Sequence, residues 1–230
     1  MAKYVPSALL GLISRSAGST TFAHNRFGAY LRNRVIPTNP VTGPQTAVRT
    51  DFGDHSSNYR SLTEAQRLQW IAFGQNYVRQ DSLGQTYSLT GLQAYVSTAR
   101  NLATYGSAAI SAPPLFSPPS GIATATVTAT IGLPNVLSVA YTVTPLAANT
   151  KVAIFATRPV SAGINFQPNG AYKLVFVSAA AAASPANILA AYEAIFGTLI
   201  TTGEKILFKL VVLNSEGLAS PVLQTSEVIA

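Results

Sequence analysis

The sequence predicts a two-domain α+β chain, with a β-hairpin arm and three-helix module followed by an antiparallel β-sandwich that one helix interrupts. Three observations carry this prediction. Apolar residues recur at helical spacing between about residues 43 and 104, the period changes to two after Ile122, and residues 107–121 between the two regimes hold two Pro-Pro pairs. At 230 residues and 48% hydrophobic, the chain can bury a core in each half without covalent help. The expected partition is a docking module at 1–106, a linker at 107–121 and the sandwich at 122–230.

The arm comes first. Residues 14–35, SRSAGSTTFAHNRFGAYLRNRV, carry strand formers on both sides of Asn25-Arg26-Phe27-Gly28, which reads as a turn ending in glycine. In the second limb Tyr30, Arg32 and Arg34 alternate with Ala29, Leu31 and Val35, so one face of the hairpin bears arginine. A two-stranded hairpin is marginal alone and must lie on a partner. If that partner is nucleic acid, Arg26, Arg32 and Arg34 meet phosphates; if it is protein, they meet carboxylates. The absence of an accompanying aromatic stacking set favours protein.

Pro37, Pro40 and Pro44 make the next stretch a stiff, extended strut. It leads into the first of three boxes of the form T-x-x-Q, at Thr42–Gln45, Thr63–Gln66 and Thr90–Gln93, each a helix-start signal. The first helix is expected over about 43–57 with Val48, Phe52 and His55 on one side. The second, about 64–78, carries Leu68, Ile71 and Val78 beside Trp70, Phe73 and Tyr77. The third, about 91–104, has the cleanest helical period of the chain, through Leu92, Tyr95, Val96, Ala99 and Leu102. Phe52, Trp70, Phe73 and Tyr95 are the expected core anchors. A turn at Asp81–Gly84 and a short strand over Gln85–Leu89 separate the last two helices. The arginines, Arg32, Arg34, Arg49, Arg60 and Arg67, have two readings of equal weight: they bond carbonyls within the fold or anchor neighbouring subunits.

Pro113-Pro114 and Pro118-Pro119 enforce extended polyproline geometry, so 107–121 is expected to act as a spacer. Six alternating runs follow, among them VLSVAYTVT at 136–144, KVAIFAT at 151–157 and ILFKLVVL at 206–213, divided by turn signals such as Pro168-Asn169-Gly170 and Asn214-Ser215-Glu216-Gly217. A helix expected to start at Ser184-Pro185 and stop at Gly197 presents Ile188, Leu189, Tyr192, Ile195 and Phe196 on its apolar side. Such a helix would cover an end or edge of the sandwich and block stray strand pairing.

Charge and composition narrow the function classes. Only 10% of residues are charged, a surface poor in charge that suits a protein covered by neighbours in an assembly. The net charge of +7 is concentrated in the N-terminal half and is nearly all arginine there. With no cysteine, disulfides, thiolate metal sites and cysteine nucleophiles are excluded. The apolar run Val5–Ile13 contains Pro6 and Gly11 and is too short to span a bilayer, so no membrane-embedded segment is expected. Asp51, Asp54 and His55 have a spacing that a metal or an acid–base pair would need. No further ligand accompanies them, and ion pairing with Arg49 or Arg60 accounts for them better. No phosphate-binding loop or nucleophile elbow occurs, so catalytic residues, metal and cofactor are all expected to be none.

Two stretches resemble known families. The ending ILFKLVVLNSEGLASPVLQTSEVI resembles the last hairpin of fibronectin type III and related immunoglobulin-like modules, where an Asn-x-x-Gly turn joins the final strands. In the N-terminal half, Gly28-Ala29-Tyr30-Leu31-Arg32-Asn33-Arg34, then Asn39-Pro40 with Thr42, Gln45 and Arg49, then Leu62-Thr63 with Gln66, Arg67 and Trp70, is similar to a family of uncharacterised phage and prophage proteins. That likeness implies a non-enzymatic, virion-associated structural role, assembled in the host cytoplasm. The preferred version is a capsid-associated minor or decoration protein that contacts other virion proteins or copies of itself, with a tail or connector component as the alternative. A carbohydrate- or nucleic-acid-binding module is the competing class.

Overall fold

A computed structural model describes residues 2–3, 15–25, 28–36, 38–80, 85–115, 117–132, 134–142, 146–197 and 202–230. The chain forms two compact units, Met1–Arg49 and Thr50–Ala230. The partition expected from composition follows the prolines; by packing, the second and third helices share a unit with the β region.

In the first unit the arm is an antiparallel sheet of β1 (Ala2–Lys3), β2 (Arg15–Ala17), β3 (Thr20–Asn25) and β4 (Gly28–Asn33), ordered β1-β4-β3-β2. The hairpin expected around Asn25–Gly28 is β3–β4, in register Thr21 to Arg32 and Ala23 to Tyr30; Arg26 and Phe27 lie outside the described residues. Two further strands flank it. The turn into β3 uses Gly18 at φ +57°, the left-handed conformation that a tight two-residue connection requires. These additions answer the marginal stability of a lone hairpin with partners from the same chain. Helix α1 (Gly43–Ser61) starts at the proline strut, where the Thr46 amide donates to the Thr42 carbonyl at 2.9 Å.

In the second unit α2 (Glu64–Asn76) and α3 (Gly91–Tyr105) each begin with a complete capping box, Thr63 with Gln66 and Thr90 with Gln93. Between them β5 (Val78–Gln80) pairs with β6 (Thr86–Ser88), so the second helix stops at Asn76 and Val78 belongs to a hairpin. Trp70 is fully buried, edge-on to Phe73 at 5.5 Å and to Tyr95 at 5.2 Å between centroids. Its indole N–H donates to the Ser111 carbonyl at 2.9 Å, which ties the proline-rich stretch back onto the helices.

The β region contains β7 (Thr124–Thr130), β8 (Val136–Thr142), β9 (Thr150–Ala156), β10 (Val160–Ser161), β11 (Lys173–Val177), β12 (Ala186–Asn187), α4 (Leu189–Phe196), β13 (Glu204–Asn214) and β14 (Leu223–Val228). One antiparallel sheet runs β12-β8-β7. In the other, β13 lies between β14 on one side and β9 with β10 on the other, and β11 follows β9. A single apolar cluster draws on both sheets, including Val127, Leu137, Val139, Val152, Ile154, Phe208 and Leu210. The mixed α+β character is thus present, with antiparallel sheets sharing one core as in a β-sandwich. The inserted helix begins at Leu189 rather than at Ser184-Pro185, because Ala186 and Asn187 first pair with β8. The Asn187 side chain then accepts from the Leu189 amide at 3.1 Å. Gly197 ends it at φ +89°.

The helices meet the β region through side chains on both. After β13, the turn at Asn214–Gly217 points Leu218 into the cluster of Trp70, Phe73, Ala94, Tyr95 and Ala99. Asn101 donates to the Gly217 carbonyl at 2.8 Å, and Lys151 donates to the Tyr105 carbonyl at 2.6 Å with its ammonium 4.2 Å from the Tyr105 ring centre.

Candidate docking surface

On the arm, strand alternation sorts side chains onto two faces. Arg15 lies opposite Phe22 and Phe22 opposite Leu31, whereas Ser16 lies opposite Thr21 and Thr21 opposite Arg32. Ala29 is buried on the first face, with Phe22 and Leu31 half-buried. The second face is polar: the Ser16 and Thr21 hydroxyls are 2.9 Å apart, and Arg32 and Arg34 are exposed, with Tyr30 half-buried beside them. The Arg34 amide donates to the Ser19 carbonyl at 2.7 Å, which carries the alternation one residue past β4. Ser16, Thr21, Arg32, Arg34, Val35 and Ile36 line a depression of about 450 Å³.

The remaining arginines are dispersed. Arg49 donates to the Asn39 side chain at 3.2 Å, which braces the strut against the start of α1. Arg60 donates from Nε to the Ser56 carbonyl one turn back, at 3.3 Å. The side chains of Arg32, Arg34 and Arg67 have neither an ion pair nor a hydrogen bond among the described residues. The two readings of the arginines therefore divide by residue, with Arg60 on a carbonyl of the fold, Arg49 on a side chain and the other three free for a partner.

Helix α1 departs most from expectation. None of its nineteen residues is buried, and Phe52, expected as a core anchor, is 55% exposed. The physical reason is that the helical core forms between α2, α3 and Leu218, which leaves only Tyr59 and Leu62, at the end of α1 and just beyond it, to pack against that core. Val48 stands one turn before Phe52 and is equally exposed. Leu68 and Ile71 on α2, and Val78 and Tyr87 on the following hairpin, are exposed as well.

Asp51 pairs with Arg100 of α3 at 3.6 Å, rather than with Arg49 or Arg60. Among the described residues no group of three or more His, Asp or Glu is placed to hold a metal ion. His55 Nδ1 and Ser56 Oγ are buried without a hydrogen-bond partner. In the β region an apolar cleft of about 240 Å³ is lined by Pro119, Ile122, Leu146, Ala147 and Val212. Its Thr150 hydroxyl is already committed to the Ala147 carbonyl at 2.6 Å, so the cleft offers a sugar few free polar groups. No helix among the described residues is long and apolar enough to cross a membrane.

Neither a protein-family model nor a curated protein matches the chain. Sequence reasoning placed the arginine-bearing face and the buried Trp70 cluster on identifiable stretches. It missed the exposure of Phe52, and it missed Gly217, Leu218, Asn101 and Lys151, which fasten the helices to the β region. The Asn-x-x-Gly spacing marked the turn but carried no signal of what the turn would touch.

Proposed function

We propose that this chain is a non-enzymatic structural component of a phage-like virion, in the preferred version a capsid-associated minor or decoration protein. It works through protein–protein contacts with other virion proteins or copies of itself. The observation that carries this reading is α1, a nineteen-residue helix that has no fully buried residue, packs on the core only near its end through Tyr59, and exposes Val48 and Phe52 at a spacing of one turn. Helices draw most of their stability in proteins from packing an apolar face, so a partner surface is the natural complement of this one. The low charge content of 10% supports the same reading, because a surface covered by neighbours needs little charge. In this reading the β region is an immunoglobulin-like or fibronectin type III-like module, held outward or against neighbours by the junction at Leu218. A tail or connector component differs from the preferred version in location and not in the physics of docking.

The reading is tested by sedimentation of the purified chain with and without the particle shell. The chain should co-sediment, and Val48→Ser/Phe52→Ser should abolish co-sedimentation while leaving the thermal midpoint within about 2 °C, since neither side chain is buried. Retention of co-sedimentation in the double variant would remove α1 as the docking element.

A further inference from the structure

We infer that the arm face bearing Arg32 and Arg34 docks on the phosphate backbone of nucleic acid. The inference rests on the charge of the first unit and not on α1, so it stands or falls separately from the particle role.

The unit Met1–Arg49 contains Lys3, Arg15, Arg26, Arg32, Arg34 and Arg49 and no acidic residue; the first carboxylate of the chain is Asp51. Six of the seven net positive charges therefore belong to this unit. Arg32 and Arg34 have no carboxylate partner among the described residues, whose one ion pair joins Asp51 to Arg100. The face is built of donors. Ser16 and Thr21 present hydroxyls and Arg32 and Arg34 present guanidinium forks, the side-chain types that contact phosphate oxygens most often. Two residues apart on an extended strand, the arginines stand about 7 Å from each other, so both reach one backbone at once.

The other occupants fit less well. A second copy of the same unit brings six like charges and no carboxylate. An acidic protein would seek apolar area at the centre of its contact; within the strands the arm keeps Ala29, Leu31 and Phe22 on the opposite face, and the apolar residues at the depression, Val35 and Ile36, come after the end of β4. With hydroxyls and guanidinium groups and no row of stacking aromatics, the face positions a backbone without reading bases. Binding should thus be independent of sequence and strongly dependent on salt.

The test is binding of the full chain to a fluorescein-labelled single-stranded oligothymidylate across a salt series. Affinity should fall as a power of salt concentration, and Arg32→Ala/Arg34→Ala should reduce the slope of log K against log salt by about 1.4. Between 50 and 200 mM salt, that is roughly a sevenfold smaller loss of affinity. Arg32→Lys/Arg34→Lys should keep the slope. Arg15→Ala, which removes a charge from the opposite face, should change it by less than half as much. All three variants alter exposed side chains and should unfold at the parent temperature. Affinity flat in salt, an alanine pair no different from Arg15→Ala, or competition by polyglutamate as effective as by unlabelled oligothymidylate would overturn the inference; the last outcome would assign the face to an acidic protein.

Discussion

Replacing Gly217 with alanine should loosen the attachment of the helices to the β region. The residue sits at φ +81°, and a Cβ built there would lie 2.7 Å from both the carbonyl oxygen and Cγ2 of Thr98 and 2.8 Å from Cγ of Leu102. The left-handed conformation costs an alanine about 1–2 kcal/mol. Forcing a methyl group against helix backbone adds about 1–3 kcal/mol, because the Thr98 carbonyl cannot rotate away as a flexible side chain would. The combined loss is roughly 2–5 kcal/mol, a fall in melting temperature of about 5–15 °C for a unit of this size. Trp70, the one tryptophan, lies in the cluster that Leu218 enters, so its fluorescence reports the junction directly. Gly170→Ala is the control, since it has no atom within 4 Å of its Cβ position and no positive φ. If Gly217→Ala unfolds within about 0.5 kcal/mol of Gly170→Ala, the junction does not hold the helices as described.

Further expectations concern the same unit. Asn101→Ala should cost about 1–2 kcal/mol in denaturant unfolding, because it leaves the Gly217 carbonyl without its donor. Thr90→Ala should cost about 1 kcal/mol by removing the cap of α3, measured in the same way. Tyr192 is fully buried, donates to the Thr157 carbonyl at 2.9 Å and has its phenol pushed well above the usual range, by burial first and by Glu204 second, with Arg158 opposing. Burial also raises Tyr95 and Tyr141. In each case the unfolded chain ionises first, near pH 10, so stability is full below that pH and is lost as pH rises towards the folded values. Tyr192→Phe should cost about 1–3 kcal/mol at neutral pH and flatten the alkaline decline; an unchanged alkaline slope would count against Tyr192 as its main source.

The parts of the fold that depend on short-range chemistry were legible in the sequence. Thr63 and Thr90 opened helices because a hydroxyl and a glutamine three residues apart suffice to satisfy two amides locally. Tyr30, Arg32 and Arg34 shared a face because strand alternation depends on nothing beyond the strand. Phe52 was misplaced for the complementary reason. Its helical spacing with Val48 announces an apolar face, but spacing alone does not say whether the surface that covers it belongs to the same chain. The extra arm strands at Ala2–Lys3 and Arg15–Ala17 are two and three residues long, too short for a period to register. Ser184-Pro185 read as a helix start, whereas the neighbouring β8 edge claimed Ala186 and Asn187 first. Gly217 shows the same limit: the turn was visible, and its seat against Thr98 and Leu102 depends on residues more than a hundred positions away.

The proposed role is tested most directly by quantitative mass spectrometry of purified particles from the host culture. The account predicts peptides of this chain in a fixed ratio to the major shell or tail protein, retained through a salt wash because α1 docks by apolar contact. Particles that lack the chain, with all of it recovered as free monomer, would contradict it.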